Sequence, residues 1–223
     1  MPLIDIGAPA PDFEAVDQHG NRHRLRDYAG KTVVLYFYPA DDTPGCTDEA
    51  CQFRDALPRF EGAGAVVLGV SPDSAESHQA FATKYGLLFP LLADTERNAA
   101  GAPAICDAYG VWGEKNLYGH KSVGVKRTTY IIDGNGIVRK RWGRVSVKGH
   151  AAEVLEAVRE VAGGGAADAT QSRPAKKRTS AKASARKKAG KKAASKKASR
   201  KKVGRKKAAK KAGSRRKKTS RRR

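Results

Sequence analysis

Cysteine is scarce in this 223-residue chain, which carries only Cys46, Cys51 and Cys106. Three thiols are too few, and an odd number, for the disulfide framework of a small secreted domain. No apolar stretch approaches the roughly 20 residues that span a bilayer. Residues Met1 to Asp5 lack the basic region and long apolar run of a signal peptide, so none is expected. These absences predict a soluble, cytoplasmic protein in a reducing compartment, where a cysteine is more often catalytic than structural. The five histidines, His19, His23, His78, His120 and His150, show no ligand spacing, which argues against a metal site. Gly134-Asn135-Gly136 is turn chemistry and no helix follows it, so it is not a phosphate loop.

Acidic and aromatic residues are absent from the end of the chain. Residues 173–223 hold 27 Lys/Arg, no Asp or Glu, no aromatic residue, and Val203 as the one apolar side chain besides Ala. Residues 1–172 hold 18 Lys/Arg against all 22 acids, so the net +23 divides into −4 and +27. The last part cannot bury enough to offset chain entropy and is expected to be disordered when alone. Residues 163–172, opening Gly163-Gly164-Gly165, read as a flexible linker. Residues 1–162 suffice for one domain with a full core.

Within that domain, Val33 to Tyr38 and Ala65 to Val70 are continuous apolar runs, the pattern of strands buried on both faces. Ala50 to Phe60 reads as a helix, with Thr43 and Pro44 suited to its N-cap and first position. Ser71-Pro72-Asp73-Ser74 opens a second helix to about Tyr85. Phe89 to Ala93 reads as a short extended piece, and a helix follows through Cys106 to Tyr109. Residues 110–126 look like loop. Thr128 to Ile132 and Ile137 to Trp142 flank Asp133-Gly134-Asn135-Gly136, a hairpin signal, and Gly149 to Ala162 reads as an amphipathic closing helix. Alternation first and an antiparallel pair last predict an α/β, thioredoxin-like fold, a mixed sheet flanked by helices.

A strand, a Pro/Gly turn and a cysteine in the first helical turn make a reactive thiolate, because exposed N–H groups and the positive helix end favour S⁻. Cys46 stands there and reads as a nucleophile. A dithiol oxidoreductase would carry its second cysteine three residues on, where this chain has Glu49. Cys51 lies five residues on. In an α-helix that spacing separates Cα atoms by roughly 8.6 Å, and a disulfide tolerates no more than about 7 Å. Bonding between the two would require the first turns of the helix to unwind.

The pattern Pro39-x3-Thr43-x2-Cys46 resembles the peroxiredoxin active site. Thr43-Pro44-Gly45-Cys46-Thr47, Ala50-Cys51, Phe53-Arg54-Asp55, Val111 to Lys115 and Arg127 to Asp133 resemble the Q-type branch, also called bacterioferritin comigratory protein. The resemblance spans about residues 3–162 and leaves the tail uncovered. It implies that Cys46 attacks a peroxide oxygen and becomes sulfenic acid. It further implies that Pro39 shields the pocket, that the Thr43 hydroxyl bonds peroxide or thiolate, and that Arg127 supplies fixed positive charge beside the sulfur. Cys51 would then form an intramolecular disulfide, reduced by an external dithiol such as thioredoxin; some members of the branch lack that cysteine, and a bystander is the other reading. The resemblance implies a monomer that needs no metal or organic cofactor. Glu49 either orients Arg127 or simply suits the helix N-terminus; Cys106 reads as a bystander in core or surface.

In the tail, lysine pairs recur at Lys187 and Lys188, Lys191 and Lys192, Lys196 and Lys197, Lys201 and Lys202, and Lys206 and Lys207. Phosphate neutralisation by such an arm gives strong, salt-sensitive nucleic-acid binding. Without aromatics or a fixed scaffold, that binding should ignore sequence. Composition resembles linker-histone and bacterial histone-like tails. An import signal, an anionic-membrane arm and ribosome contact are the competing uses. Two functions stay open: a peroxidase placed on DNA by its tail, nucleoid-associated (nuclear in a eukaryote), or a DNA-binding protein whose redox domain is a sensor.

Overall fold

Residues 1–117 and 120–164 are described by the computed structural model of the chain. The basic arm, with its lysines from Lys187 to Lys207, and the linker beyond Gly164 lie outside the described residues. In chain order come β1 (Glu14–Val16), β2 (Arg22–Arg24), a 3-10 turn (Leu25–Tyr28), β3 (Thr32–Phe37), α1 (Pro44–Gly62), β4 (Ala65–Ser71), α2 (Ala75–Tyr85), β5 (Leu91–Ala93) and α3 (Ala104–Ala108). Then follow β6 (Trp112–Leu117), β7 (His120–Val125), β8 (Thr128–Ile132), β9 (Val138–Trp142) and α4 (His150–Gly164).

Val33 to Phe37 is apolar at every position, so it is stable only with both faces covered. β3 accordingly lies inside a seven-stranded mixed sheet of order β2-β1-β5-β4-β3-β8-β9. It runs parallel to β4 and antiparallel to β8. Period-2 alternation sends Val34, Tyr36 and Tyr38 toward Phe53 and Phe60 of α1 and Val154, Leu155 and Val158 of α4. Val33, Leu35 and Phe37 face the opposite core with Ile105, Tyr109 and Tyr130. Tyr36 stacks on Phe53 at 4.7 Å and on Tyr38 at 5.4 Å between ring centroids. Such pairs contribute about 0.5–1.5 kcal/mol each beyond area burial. The Tyr36–Phe53 pair holds α1 against the sheet just behind its first turns. The whole is the expected thioredoxin-like α/β fold.

Two expectations are corrected. Residues 110–126 are not a loop: β6 and β7 form a two-stranded antiparallel sheet, with Trp112 opposite Val125 and Glu114 opposite Val123. These strands pair only with each other and join the second core only at one end, through Trp112 and Val125, so most of their length shows no apolar alternation, and Gly113 and Gly124 face one another where a β-former would have signalled a strand. The helix through Cys106 is short, only Ala104–Ala108. Pro103 precedes it, Asn98 closes a turn on Ala100 and Ala102, and the Asp94 carboxylate accepts the N–H groups of Ile105 and Cys106. The polar turn chemistry of residues 94–103 therefore replaces the expected helical turns. α4 runs to Gly164, past the expected boundary at Ala162.

Candidate active site

β3 ends at Phe37, and the chain turns through residues 38–43 into α1. Thr43 is the extended N-cap and Pro44 the first helical residue, as its fixed φ and missing N–H suit. Cys46 therefore lies in the first turn of α1, and it is 1% exposed. β8 pairs with β3 in the register Phe37 to Thr128. That register places Arg127, the residue before β8, beside the turn into α1.

Arg127 Nη2 donates to Cys46 Sγ at 3.1 Å, and Nη1 donates to Glu49 Oε2 in a partly buried ion pair. Glu49 sits one turn beyond Cys46 and is also 1% exposed. One guanidinium thus holds a sulfur and a carboxylate of the same helical turn, a fork that a point charge cannot reproduce. Burial pushes the Glu49 carboxyl up to about 7 against the pull of Arg127. Burial opposes the charge on Arg127 as well, yet Glu49 and Cys46 hold its titration above the ordinary arginine value. A helix N-terminus and a guanidinium, both aimed at one buried sulfur, suit an anionic nucleophile.

The loop before the cysteine is fastened to α2. The Asp41 carboxylate accepts from Tyr38 Oη at 2.8 Å and Ser77 Oγ at 2.7 Å, and pairs with His78 Nδ1 at 2.8 Å. Its backbone N–H donates to Asp73 Oδ2 at 2.8 Å. Burial works against the Asp41 charge, but His78, Ser77 and Tyr38 hold its pKa below the ordinary value. Asp42 has φ 54°, a left-handed conformation costly for a residue other than glycine. Lys84 Nζ reaches both of its oxygens, at 2.8 and 2.6 Å, and Tyr85 Oη donates to Oδ1 at 2.6 Å.

Of the residues singled out in the sequence, Cys46 and Arg127 meet directly. Pro39 is half-buried in the same loop. Thr43 is exposed, and its hydroxyl donates to the Ala40 carbonyl at 3.1 Å rather than to the sulfur. Cys51 is a half-buried free thiol further along α1. Cys106 is fully buried in the second core, where desolvation raises its pKa far above that of a free thiol. Among the described residues, no group of three or more His, Cys, Asp or Glu could hold a metal ion. Also among the described residues, no helix is long and apolar enough to cross a membrane. Asp41, Asp42, His78 and Lys84 are the contributors that sequence reasoning missed. The Asp41-Asp42 pair beside Thr43 was visible, but its partners on α2 lie 36 to 43 positions away.

Fold and site together define a thiol-based redox protein of the thioredoxin-like class. Residues 6–141 match the AhpC/TSA family model. The putative peroxiredoxin Bcp of Coxiella burnetii is 47% identical over 152 residues, covering 68% of this chain and 97% of that protein. Peroxiredoxin Bcp of Bacillus subtilis is 46% identical over 158 residues, covering 71% of this chain and 97% of that protein. A solved structure of the bacterioferritin comigratory protein of Xanthomonas campestris, studied for alkyl peroxide reduction, superposes with a TM-score of 0.64. It is 40% identical, covering 73% of this chain and 99% of that one. The chain belongs to the AhpC/TSA family and, within it, to the Bcp/Q-type peroxiredoxins, which are thiol-dependent peroxidases. These relatives are matched almost end to end, so over a quarter of this chain has no counterpart in them.

Proposed function

We propose that Cys46 is the sulfur that reduces hydrogen peroxide and organic hydroperoxides, and that Cys51 resolves it. The thiolate attacks one peroxide oxygen, water or alcohol departs, and Cys46 becomes a sulfenic acid. Arg127 orients the sulfur and stabilises the charge on the departing oxygen. Glu49 holds Arg127 in place, Pro39 shields the sulfur, and the Thr43 hydroxyl turns inward to meet the peroxide. The Cys51 thiol then displaces water to give an intramolecular disulfide, which thioredoxin or a similar dithiol reduces. The observation that carries this reading is the guanidinium 3.1 Å from a buried sulfur in the first turn of a helix. In a thioredoxin-coupled assay, Cys46→Ser should abolish peroxide consumption. Cys51→Ser should stop cycling after one turnover, and full turnover by that variant would sink its resolving role.

The arm beyond residue 172, with 27 Lys/Arg and no acid, is read as a sequence-blind nucleic-acid binder that places the peroxidase beside the chromosome. The enzyme is then a cytoplasmic, nucleoid-associated monomer that removes peroxide where it would damage DNA. If the redox domain were only a sensor on a DNA-binding protein, Cys46 would oxidise once and catalytic consumption with a dithiol would be absent.

A further inference from the structure

A sulfenic acid on Cys46 has two fates. The Cys51 thiol can displace its hydroxyl as water, forming the S–S bond. Alternatively a second peroxide molecule adds an oxygen, giving sulfinic acid and water or alcohol. The first fate requires movement. Both cysteines sit in α1, where their spacing puts the Cα atoms roughly 8.6 Å apart, beyond disulfide reach. The first turns of α1 must open, and the segment that opens is gripped at both ends. Upstream, Asp41 and Asp42 tie the preceding loop to α2. Downstream, Arg54 Nη1 donates to the Tyr85 carbonyl of α2 at 2.6 Å, and Gln52 Oε1 accepts from the Gly149 N–H at 3.0 Å.

The upstream grip is the unusual one. His78 is completely buried, its Nδ1 pairs with Asp41, and its Nε2 has no hydrogen-bond partner among the described residues. Asp42 is held at positive φ by contacts that its exposed side chain makes to Lys84 and Tyr85. A buried polar atom left unpaired and a left-handed aspartate both raise the free energy of the closed loop. The closed state therefore depends on the side-chain ties, and cutting them releases backbone that is already strained.

We propose that Asp41 and His78, assisted by Asp42, form a latch that sets how fast Cys46 leaves α1 for Cys51, and so how readily Cys46 over-oxidises. These are positioning residues, acting through the loop that carries the cysteine. The proposal rests on the Cys46–Cys51 pairing argued above. Opening precedes resolution, so a weaker latch raises the disulfide rate, shortens the life of the sulfenic acid and protects it from a second peroxide.

The test uses the full reduced chain, rapid mixing with hydrogen peroxide, acid quench and mass spectrometry. Sulfenic, disulfide and sulfinic forms of Cys46 are counted in one experiment, so the first oxidation is measured separately and divides out. In Asp41→Asn the sulfenic-to-disulfide rate should rise roughly tenfold, equivalent to about 1.4 kcal/mol. The peroxide concentration that makes half the Cys46 sulfinic should rise by a similar factor. Asp42→Ala, on an exposed side chain, should move both readouts in the same direction by a few-fold, and it keeps the test alive if Asp41→Asn fails to fold. Unchanged or slower disulfide formation in these variants overturns the latch. A parent chain that forms no Cys46–Cys51 bond overturns the pairing instead.

Discussion

Replacing Arg127 by lysine separates charge from geometry at the site. The guanidinium spans two acceptors, Cys46 Sγ at 3.1 Å and the Glu49 carboxylate. An ammonium is a single point on a flexible stem and satisfies one of them at a time. A hydrogen bond to a charged group contributes about 1.5–3 kcal/mol, and each 1.4 kcal/mol is about a factor of ten. If the lysine settles on buried Glu49, Cys46 loses its donor, and oxidation of Cys46 by hydrogen peroxide should slow roughly 10- to 100-fold. Arg127→Ala should be slower still, since the positive charge goes too. The assay is quench-flow with mass spectrometry of the Cys46 peptide, and the melting temperature of each variant controls for folding. An Arg127→Lys chain that oxidises within about threefold of the parent, at unchanged melting temperature, would refute the fork argument.

Two buried groups give opposite pH effects that partly cancel. Glu49 titrates near 7 in the fold against 4.5 unfolded, so its contribution is fully present below about 4.5 and is lost as pH rises through 7. Burial lowers His150 to about 4 from 6.5, so its contribution is present above 6.5 and is lost as pH falls through 4. Each amounts to about 3 kcal/mol as an order of magnitude. Glu49→Gln should therefore lose melting temperature more steeply than the parent between pH 7 and 4, and His150→Gln should gain it; parallel curves for all three would contradict both assignments. Cys106→Ala should cost about 1 kcal/mol of stability for the buried atom removed and leave turnover intact, and native Cys106 should resist alkylation while Cys51 reacts. Ending the chain after Gly164 should leave peroxide turnover near the parent value and abolish DNA retardation. The full chain should lose affinity with salt at a slope near −0.9 per phosphate contacted. Loss of turnover on truncation would show that the arm and the domain are not independent.

The sequence carried the frame of the site because that frame is local. β3 is apolar at successive positions, and Thr43-Pro44 sets the helix start on its own, so Cys46 could be placed before any tertiary information. Arg127 is different: without the β3–β8 register that sets Phe37 against Thr128, only the resemblance pointed to it. The β6–β7 hairpin stayed hidden because Gly113, Asn116 and Gly124 give no alternation and only Trp112 and Val125, at one end, reach a core. Asp41 and His78 were legible as a polar loop residue and a stray histidine. Their meaning is a contact across 37 positions, which no local pattern encodes.

The most direct measurement is the site of first oxidation. Cys51→Ser, fully reduced and given one equivalent of hydrogen peroxide, should gain a single oxygen on Cys46, faster by orders of magnitude than a free thiol, with Cys106 untouched. Oxygen spread over other residues, or a Cys46 no quicker than free cysteine, would contradict the account at its centre.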